Sequence, residues 1–310
     1  MMGGISHIVV DWGTSSFRLW ALDRAGHVLA ERRSAQGLAV SAAEGFSAVL
    51  ESHLAALTIP DGVPVMMCGM VGARGGWVEA AYVDTPARLD GLAEHAAHVP
   101  SARRLIRILP GLAQRKPDEL DVIRGEETQL LALASEGFHG LACLPGTHSK
   151  WVAVEDGRVQ RFATFMTGEL FQLLRSGSVI APAVADTTSV DSAGEAFRCG
   201  VDEGFAMPEL LGNALFQLRA SWLLAGTERA SILSRLSGLL IGAELAGAAR
   251  RFGLLADIAL VASGPAAPAY RTALAIAGVP YVVLHDAEDC VRAGLHEAAL
   301  KVFRLERSPA

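Results

Sequence analysis

The stretch Ile8-Val9-Val10-Asp11-Trp12-Gly13-Thr14-Ser15-Ser16-Phe17-Arg18-Leu19-Trp20-Ala21-Leu22-Asp23 decides the fold. Its β-branched and aromatic residues predict two strands running back on each other, joined by the polar bend Gly13-Thr14-Ser15-Ser16. A strand that ends on a carboxylate and runs into glycine and small hydroxylated residues suits phosphate. Backbone N–H and side-chain O–H donors can wrap phosphate oxygens while the acid stands near a hydrated metal. The same residues also make an ordinary hairpin whose turn uses Gly, Thr and Ser.

Further along, residues 141–165 read as strand, bend, strand, turn and strand. Their bend, Gly146-Thr147-His148-Ser149, matches Gly13-Thr14-Ser15-Ser16, and Asp156 matches Asp23 at the same offset. The chain therefore reads as two related halves, each opening with a phosphate-sized bend.

Between and after the bends, strands alternate with helices, which places the chain in the α/β class. Asp23-Arg24-Ala25-Gly26 turns the chain into a third strand over 28–32. Apolar residues spaced by three and four predict a helix over 42–57. The buried strand 63–68 empties into Gly69-Met70-Val71-Gly72-Ala73-Arg74-Gly75-Gly76-Trp77, a loop whose glycines let backbone approach a ligand closely. A strand over 104–109 and a polar connection at Lys116-Pro117-Asp118 precede Arg124-Gly125-Glu126-Glu127-Thr128-Gln129. That run opens a helix with its acids in the first turn. Helices follow at 165–175, 207–225 and 237–247, the last rich in small residues and so packed closely against a neighbour. A strand at 256–262 runs into Ser263-Gly264-Pro265, followed by a helix over 267–277, a strand over 281–284 and a helix over 288–303.

The 310 residues, 51% of them apolar, are long for one core and predict two domains. With 27 basic and 33 acidic residues and no basic run, the chain offers no nucleic-acid surface. The first apolar run is broken by Asp11 and others are short or interrupted by charge, so neither a leader nor a membrane span is expected and the protein reads as cytoplasmic. Cys68, Cys143, Cys199 and Cys290 lie far apart, which predicts reduced, mostly buried thiols and no zinc site.

No P-loop, dinucleotide fingerprint, nucleophile elbow or zincin motif is present, so any nucleotide phosphates must be held by the hairpin bends. That combination, with Asp11-Trp12-Gly13-Thr14-Ser15, Gly69-Met70-Val71-Gly72, Gly76-Trp77, Arg124 to Leu131, Pro145 to Val152, Thr167-Gly168-Glu169-Leu170 and Leu236 to Gly242, resembles the 2-dehydro-3-deoxygalactonokinase family. These are bacterial sugar-acid kinases of the actin, hexokinase and Hsp70 type of ATPase fold. The resemblance implies two related actin-like (ribonuclease H-like) domains with a cleft between them, residues 1–137 plus 288–310 and residues 138–287. It also implies ATP-dependent phosphorylation of the 6-hydroxyl of 2-dehydro-3-deoxy-D-galactonate, with Mg²⁺.

On that resemblance Asp11 is the metal-side carboxylate, and Gly13, Thr14, Ser15 and Ser16 face Gly146, Thr147 and His148 across the nucleotide phosphates. Lys150 either adds charge there or points into solvent. Glu126 takes the place of the aspartate that opens a helix before the second bend in glycerol kinase and related enzymes, and so is the expected base, with Glu127 still open. Arg74, or else Arg18 or Arg124, would bind the substrate carboxylate. Trp77 would line the sugar pocket or fill core, while Thr167 and Glu169 would meet sugar hydroxyls or, for Glu169, a nearby cation. Ser263 and Gly264 stand at the adenosine-side motif, with one glycine where the fold usually has two. The expected partners are ATP and the sugar acid, with a homodimer compatible and no nucleic acid or membrane. The alternatives are a kinase of another 2-keto-3-deoxy acid or of a neutral sugar, and an actin- or chaperone-type regulatory ATPase.

Overall fold

β-Branched runs broken at Gly13 and Gly26 fold the first residues into an antiparallel meander of β1 (His7–Trp12), β2 (Phe17–Leu22) and β3 (Val28–Ser34). The register sets Asp11 opposite Arg18 and Trp12 opposite Phe17. The computed structural model describes residues 4–101 and 103–305. After α1 (Leu38–Glu44) and α2 (Phe46–Ala56) the chain returns as β4 (Val65–Gly69), parallel to β1 with Asp11 beside Cys68. The single helix expected over 42–57 is thus two helices, because Gly45 turns out of the helical region at φ 91°.

Next come β5 (Tyr82–Asp84), β6 (Ala87–Arg88), β7 (Ala97–Val99), β8 (Ile106–Ile108), β9 (Gly111–Gln114), β10 (Asp121–Ile123) and α3 (Glu126–Ser135). The first sheet has the order β3-β2-β1-β4-β8-β7, and β10-β9-β5 form a small separate sheet. Under the first sheet, Val49, Leu50 and Leu54 of α2 pack with Ile8, Val10, Trp12 and Phe17 in one apolar core. The small sheet has no counterpart in the sequence reading, since strands of three or four residues carry too little periodicity to register.

The second half contains β11 (Gly140–Leu144), β12 (Ser149–Glu155), β13 (Arg158–Phe165), α4 (Thr167–Gly177), α5 (Glu195–Ala206), α6 (Leu211–Ala225), α7 (Arg229–Phe252), β14 (Asp257–Val261), α8 (Ala266–Ile276) and β15 (Tyr281–His285), and α9 (Ala287–Val302) follows. Its strands run β13-β12-β11-β14-β15, with β11-β14 and β14-β15 parallel. This repeats β3-β2-β1-β4-β8 position for position, and is the α/β architecture that the resemblance implies.

By internal contacts the chain divides into one unit of Met1–His139, Val154–Arg161 and Ala287–Ala310 and a second of Gly140–Ala153 and Phe162–Asp286. The tip of the β12–β13 hairpin belongs to the first unit, where Val159 pairs with Ala87 of β6. In the same unit α9 lies against α3 so closely that a Cβ at Gly294 would overlap the Thr128 carbonyl.

In the second unit the small-residue helix expected over 237–247 is the middle of α7, and its neighbour is α5. Ideal Cβ atoms at Gly200, Gly204, Gly238 and Gly242 would all fall within 2.5 Å of a carbonyl oxygen on the facing helix, so only glycine fits at these four contacts. Long enough and apolar enough to cross a membrane, α7 departs from the expectation of short, interrupted runs. It is mostly buried within the protein. Cys68, Cys143 and Cys290 are buried and Cys199 is exposed, all four as free thiols.

Candidate functional site

Two glycines build the site of the first unit. Gly69, at the end of β4, has φ 89°, and a Cβ there would stand 2.7 Å from the Trp12 carbonyl. Gly125, with φ 109°, approaches until its own Cβ position lies 3.6 Å from the Gly69 Cα. Left-handed backbone at both points brings the start of α3 to the carboxyl ends of β1 and β4. Ligands of open α/β sheets gather at such strand ends.

The groups collected there are charged. Arg18 places Nη2 2.8 Å from Asp11 Oδ2 and Nη1 3.4 Å from Glu288 Oε2. Arg33 also holds Glu288, with Nη1 2.8 Å from Oε2 and Nη2 against Oε1. Burial pushes the Asp11 carboxyl above its usual range, Arg18 pulls it back, and the charges of Glu126 and Glu288 add to the upward push. Hydrogen bonds from Arg33, aided by Arg18, hold Glu288 below the usual range. The bend itself is tied by the Gly13 N–H to the Ser16 carbonyl at 2.9 Å, and Gly37 is packed against the backbone of Thr14 and Ser15. Thr14 and Ser15 are exposed, whereas Gly13 and Ser16 are half-buried.

The two acids of α3 have different surroundings. Glu126 is half-buried, and its Oε2 accepts the Arg124 N–H at 3.1 Å. Glu127 is fully enclosed, with Oε2 accepting the Gly125 N–H at 2.7 Å. Burial, reinforced by the Glu126 charge, pushes its pKa up to about 8.

The three candidate arginines also separate. Arg18 is engaged with Asp11 and Glu288. Arg124 stacks 4.3 Å over the Tyr82 ring and donates from Nη2 to the Ala80 carbonyl at 2.8 Å, while its Nε and Nη1 are enclosed with no acceptor among the described residues. It presses on Gly72, so it buttresses the glycine loop from inside. Arg74 is exposed at the loop's tip. Trp77 is half-buried in an aromatic cluster, stacked 6.2 Å from Phe46 and edge-on 6.3 Å from Trp12.

In the second unit the bend 146–148 rests on the start of α4. A Cβ at Gly168 would lie 2.4 Å from the Gly146 carbonyl, and the Glu169 N–H donates to the Thr147 carbonyl at 2.8 Å. His148 Nε2 lies 2.5 Å from Glu169 Oε2, both side chains being exposed. Lys150 does not point into solvent. It is buried and folds back so that Nζ donates to the His148 carbonyl at 2.7 Å. Thr167 is buried too, its hydroxyl bonded to Glu244. Ser263 bonds Asp286 at 2.8 Å, and Gly264, at φ 59°, turns the chain into α8.

These segments meet at a pocket of about 280 Å³ walled by Gly146, Thr167, Gly168, Phe171, Leu240, Ile241, Ala266 and Tyr270. Its lining is mostly apolar, as ligand pockets usually are. The structure thus groups Asp11, Gly13 to Ser16, Arg18 and Glu126 in the first unit. It groups Gly146 to His148, Lys150, Thr167, Glu169 and the residues after Ser263 in the second.

Sequence reasoning missed Glu288, Glu244 and Tyr270. A signal existed for Glu244, the one charged residue between Arg235 and Arg250 of an otherwise apolar helix. Glu288 gives none, since an acid in the first turn of a helix is ordinary.

The profile of the 2-keto-3-deoxy-galactonokinase family matches residues 11–298. A Rhizobium meliloti (strain 1021) protein named a probable 2-dehydro-3-deoxygalactonokinase is 48% identical over 96% of this chain and 98% of its own. The Escherichia coli (strain K12) 2-dehydro-3-deoxygalactonokinase is 36% identical over 77% of this chain and 79% of its own. Among solved structures, a Sinorhizobium meliloti protein assigned to the same enzyme superposes with a TM-score of 0.93 at 48% identity, covering 96% of this chain and 100% of that one. The activator of 2-hydroxyisocaproyl-CoA dehydratase from Clostridium difficile, at 12% identity and a TM-score of 0.50 over 98% of this chain and 99% of that one, shares the fold alone. The chain belongs to the 2-keto-3-deoxy-galactonokinase family.

Proposed function

We propose that the protein transfers the γ-phosphoryl group of ATP to the 6-hydroxyl of 2-dehydro-3-deoxy-D-galactonate, giving the 6-phosphate and ADP in galactonate catabolism. The observation that carries this is the family match over residues 11–298, which takes in both groups of site residues. Phosphoryl transfer asks a protein for alignment, charge neutralisation and a proton acceptor.

Glu126 supplies the acceptor. Its carboxylate takes the proton of the 6-hydroxyl as that oxygen bonds to the γ-phosphorus and the bond to the β–γ bridging oxygen breaks. Glu127 is unsuited to the task, because it is enclosed and, with a pKa of about 8, holds its own proton at neutral pH. Asp11, oriented by Arg18, would hold a water of the Mg²⁺ ion. When bound on the nucleotide phosphates, that ion neutralises their charge. No group of three or more acids, histidines or cysteines that could hold a metal occurs among the described residues.

The pocket beside α8 takes the adenosine against Phe171, Leu240 and Ile241. The N–H groups of the bend at Gly146, Thr147 and His148 meet its phosphates, with the Lys150 charge folded behind them. The bend Gly13 to Ser16 of the first unit carries N–H and O–H donors of the kind that suit phosphate oxygens. Arg74 binds the substrate carboxylate. Of the three candidates it alone is exposed, while Arg18 is committed to acids and Arg124 to the loop.

ADP release measured against a panel of 2-keto-3-deoxy acids and neutral sugars tests the reading. Turnover restricted to sugar acids, highest with the galactonate derivative, is expected. ATP hydrolysis that no sugar acid stimulates would replace the kinase with a regulatory ATPase.

A further inference from the structure

Glu244 sits in the middle of α7 at 2% exposure, and its carboxylate is saturated by donors from other elements. Trp151 Nε1 donates to Oε1 at 2.8 Å and the Tyr270 hydroxyl to Oε2 at 2.6 Å. The hydroxyls of Thr167 and Ser149 also bond it. The Ser149 and Tyr270 hydroxyl oxygens lie 2.8 Å apart, which closes the cluster.

A carboxylate costs several kcal/mol to bury, and an apolar side chain of its size would serve a core helix better. What it joins is therefore informative. Ser149 and Trp151 follow directly on the bend 146–148, Thr167 is the first residue of α4, and Tyr270 is on α8. These elements form three walls of the 280 Å³ pocket, yet Glu244, Ser149 and Trp151 stand behind its lining.

We propose that Glu244 is a positioning residue for nucleotide binding, which through Tyr270, Ser149 and Thr167 fixes the phosphate bend, the start of α4 and the α8 wall in one spacing. The proposal rests on reading this pocket as the nucleotide's. Loss of the hub lets the bend and α8 move independently, so the bend's N–H groups and the adenosine wall no longer fit one ligand.

The test uses Tyr270→Phe, which keeps the ring as pocket wall and removes only the linking hydroxyl, and Glu244→Gln, which keeps the volume. Each is expected to raise the Kd for ADP in titration calorimetry and the KM for ATP by about tenfold, as losing a buried bond to a charged group would. The KM for the sugar acid should change less than twofold. A rescue comparison sharpens this, since Glu244→Gln retains one acceptor and should bind ADP better than Glu244→Leu. Wild-type ADP affinity in folded Tyr270→Phe, or equal rises in both KM values, would overturn the proposal. Ala266→Trp, which fills the pocket, separates the two layers. If it leaves ADP binding intact, the pocket reading fails and the proposal with it. If it abolishes binding while Tyr270→Phe binds normally, the proposal alone fails.

Discussion

Exchanging one buried oxygen for nitrogen, Glu127→Gln, separates the two acids that open α3. The pKa of Glu127 is pushed up to about 8 by burial and then by the Glu126 charge, against an ordinary value of 4.5. Between those values the folded protein keeps a proton that the unfolded chain has released, so stability falls as pH rises from 4.5 to about 8 and then levels off. By pH 7 about 2.5 pH units of that window have been crossed, and at 1.36 kcal/mol each the loss is about 3 kcal/mol. Glutamine does not ionise, fills the same space, and its carbonyl can accept the Gly125 N–H that Oε2 accepts now at 2.7 Å. Glu127→Gln should therefore match wild type near pH 4.5 and exceed it by about 3 kcal/mol at pH 7, with turnover preserved. Urea unfolding at pH 5, 6, 7 and 8, with ADP release on the same samples, measures both. An offset that does not grow with pH would refute the titration argument. A hundredfold fall in kcat would move the base from Glu126 to Glu127.

Other expectations follow from the same geometry. Glu126→Gln should lower kcat by about 10²–10⁴ in the ADP-release assay and, by removing a charge that helps hold Glu127 protonated, make the fall of stability with rising pH shallower. Arg74→Ala should raise the KM for the sugar acid and leave that for ATP nearly unchanged. Equal effects on both would remove it as the carboxylate's partner. Gly242→Ala puts a methyl 2.3 Å from the Val201 carbonyl and should cost about 3 kcal/mol or more in unfolding measurements, whereas Gly212→Ala, which meets nothing within 4 Å, should be neutral or stabilising. His7 is lowered to about 4 by burial and by the charge of His296, 3.0 Å away, with Asp23 opposing. Its contribution should be present above pH 6.5 and lost, by up to about 3 kcal/mol, as the pH falls to 4. Melting temperature against pH reads this directly, and His7→Phe should flatten that limb.

The bends at Gly13 and Gly146 are legible in the sequence as turns, and what sets them apart from ordinary hairpin turns is that the same pattern occurs twice. The repeat they announce is carried by strand order as well as by matching letters. Whereas the role of Glu126 as base is what the Glu126→Gln variant tests, its position at a helix start before the second bend is legible in the sequence. The small sheet β10-β9-β5 and the break at Gly45 are not, because short strands and one glycine leave the local pattern almost unchanged. The division among the arginines is hidden for a different reason. Arg18 is spent on Asp11 because the β1–β2 register sets them opposite, and Arg124 is spent on the loop because Tyr82 and Ala80 come to meet it. Both facts depend on partners distant in sequence or on pairing register. Glu244 is half-legible: its isolation in an apolar helix marks it, but the donors lie in three other elements.

One strand order used twice yields two sites of opposite character. In each unit a bend joins the first two strands, and the first and fourth run parallel, so their carboxyl ends and the adjoining helix starts collect at one place. In the first unit that place holds Asp11, Arg18, Glu126 and Glu288, with charges half-exposed and able to meet metal, phosphate and a reacting hydroxyl. In the second the corresponding acid is absent, since Leu144 closes β11 and Pro145 follows it. A carboxylate comes instead from α7 and is buried, where it organises walls rather than touching ligand. Proton transfer needs an accessible acid, whereas an acid behind an apolar pocket has to be enclosed and hydrogen-bonded. Glu126 is half-buried at a helix start and Glu244 is enclosed behind the pocket, so the two acids differ in the access their surroundings allow. Moving an acid to position 144 should therefore not create a second reactive centre. Leu144→Asp would place a charge at a strand end now 3% exposed, with no arginine in the place of Arg18, and is expected to weaken ADP binding and stability together. A Leu144→Asp protein that binds ADP as tightly as wild type would show that the second unit tolerates the first unit's chemistry, against this division of labour.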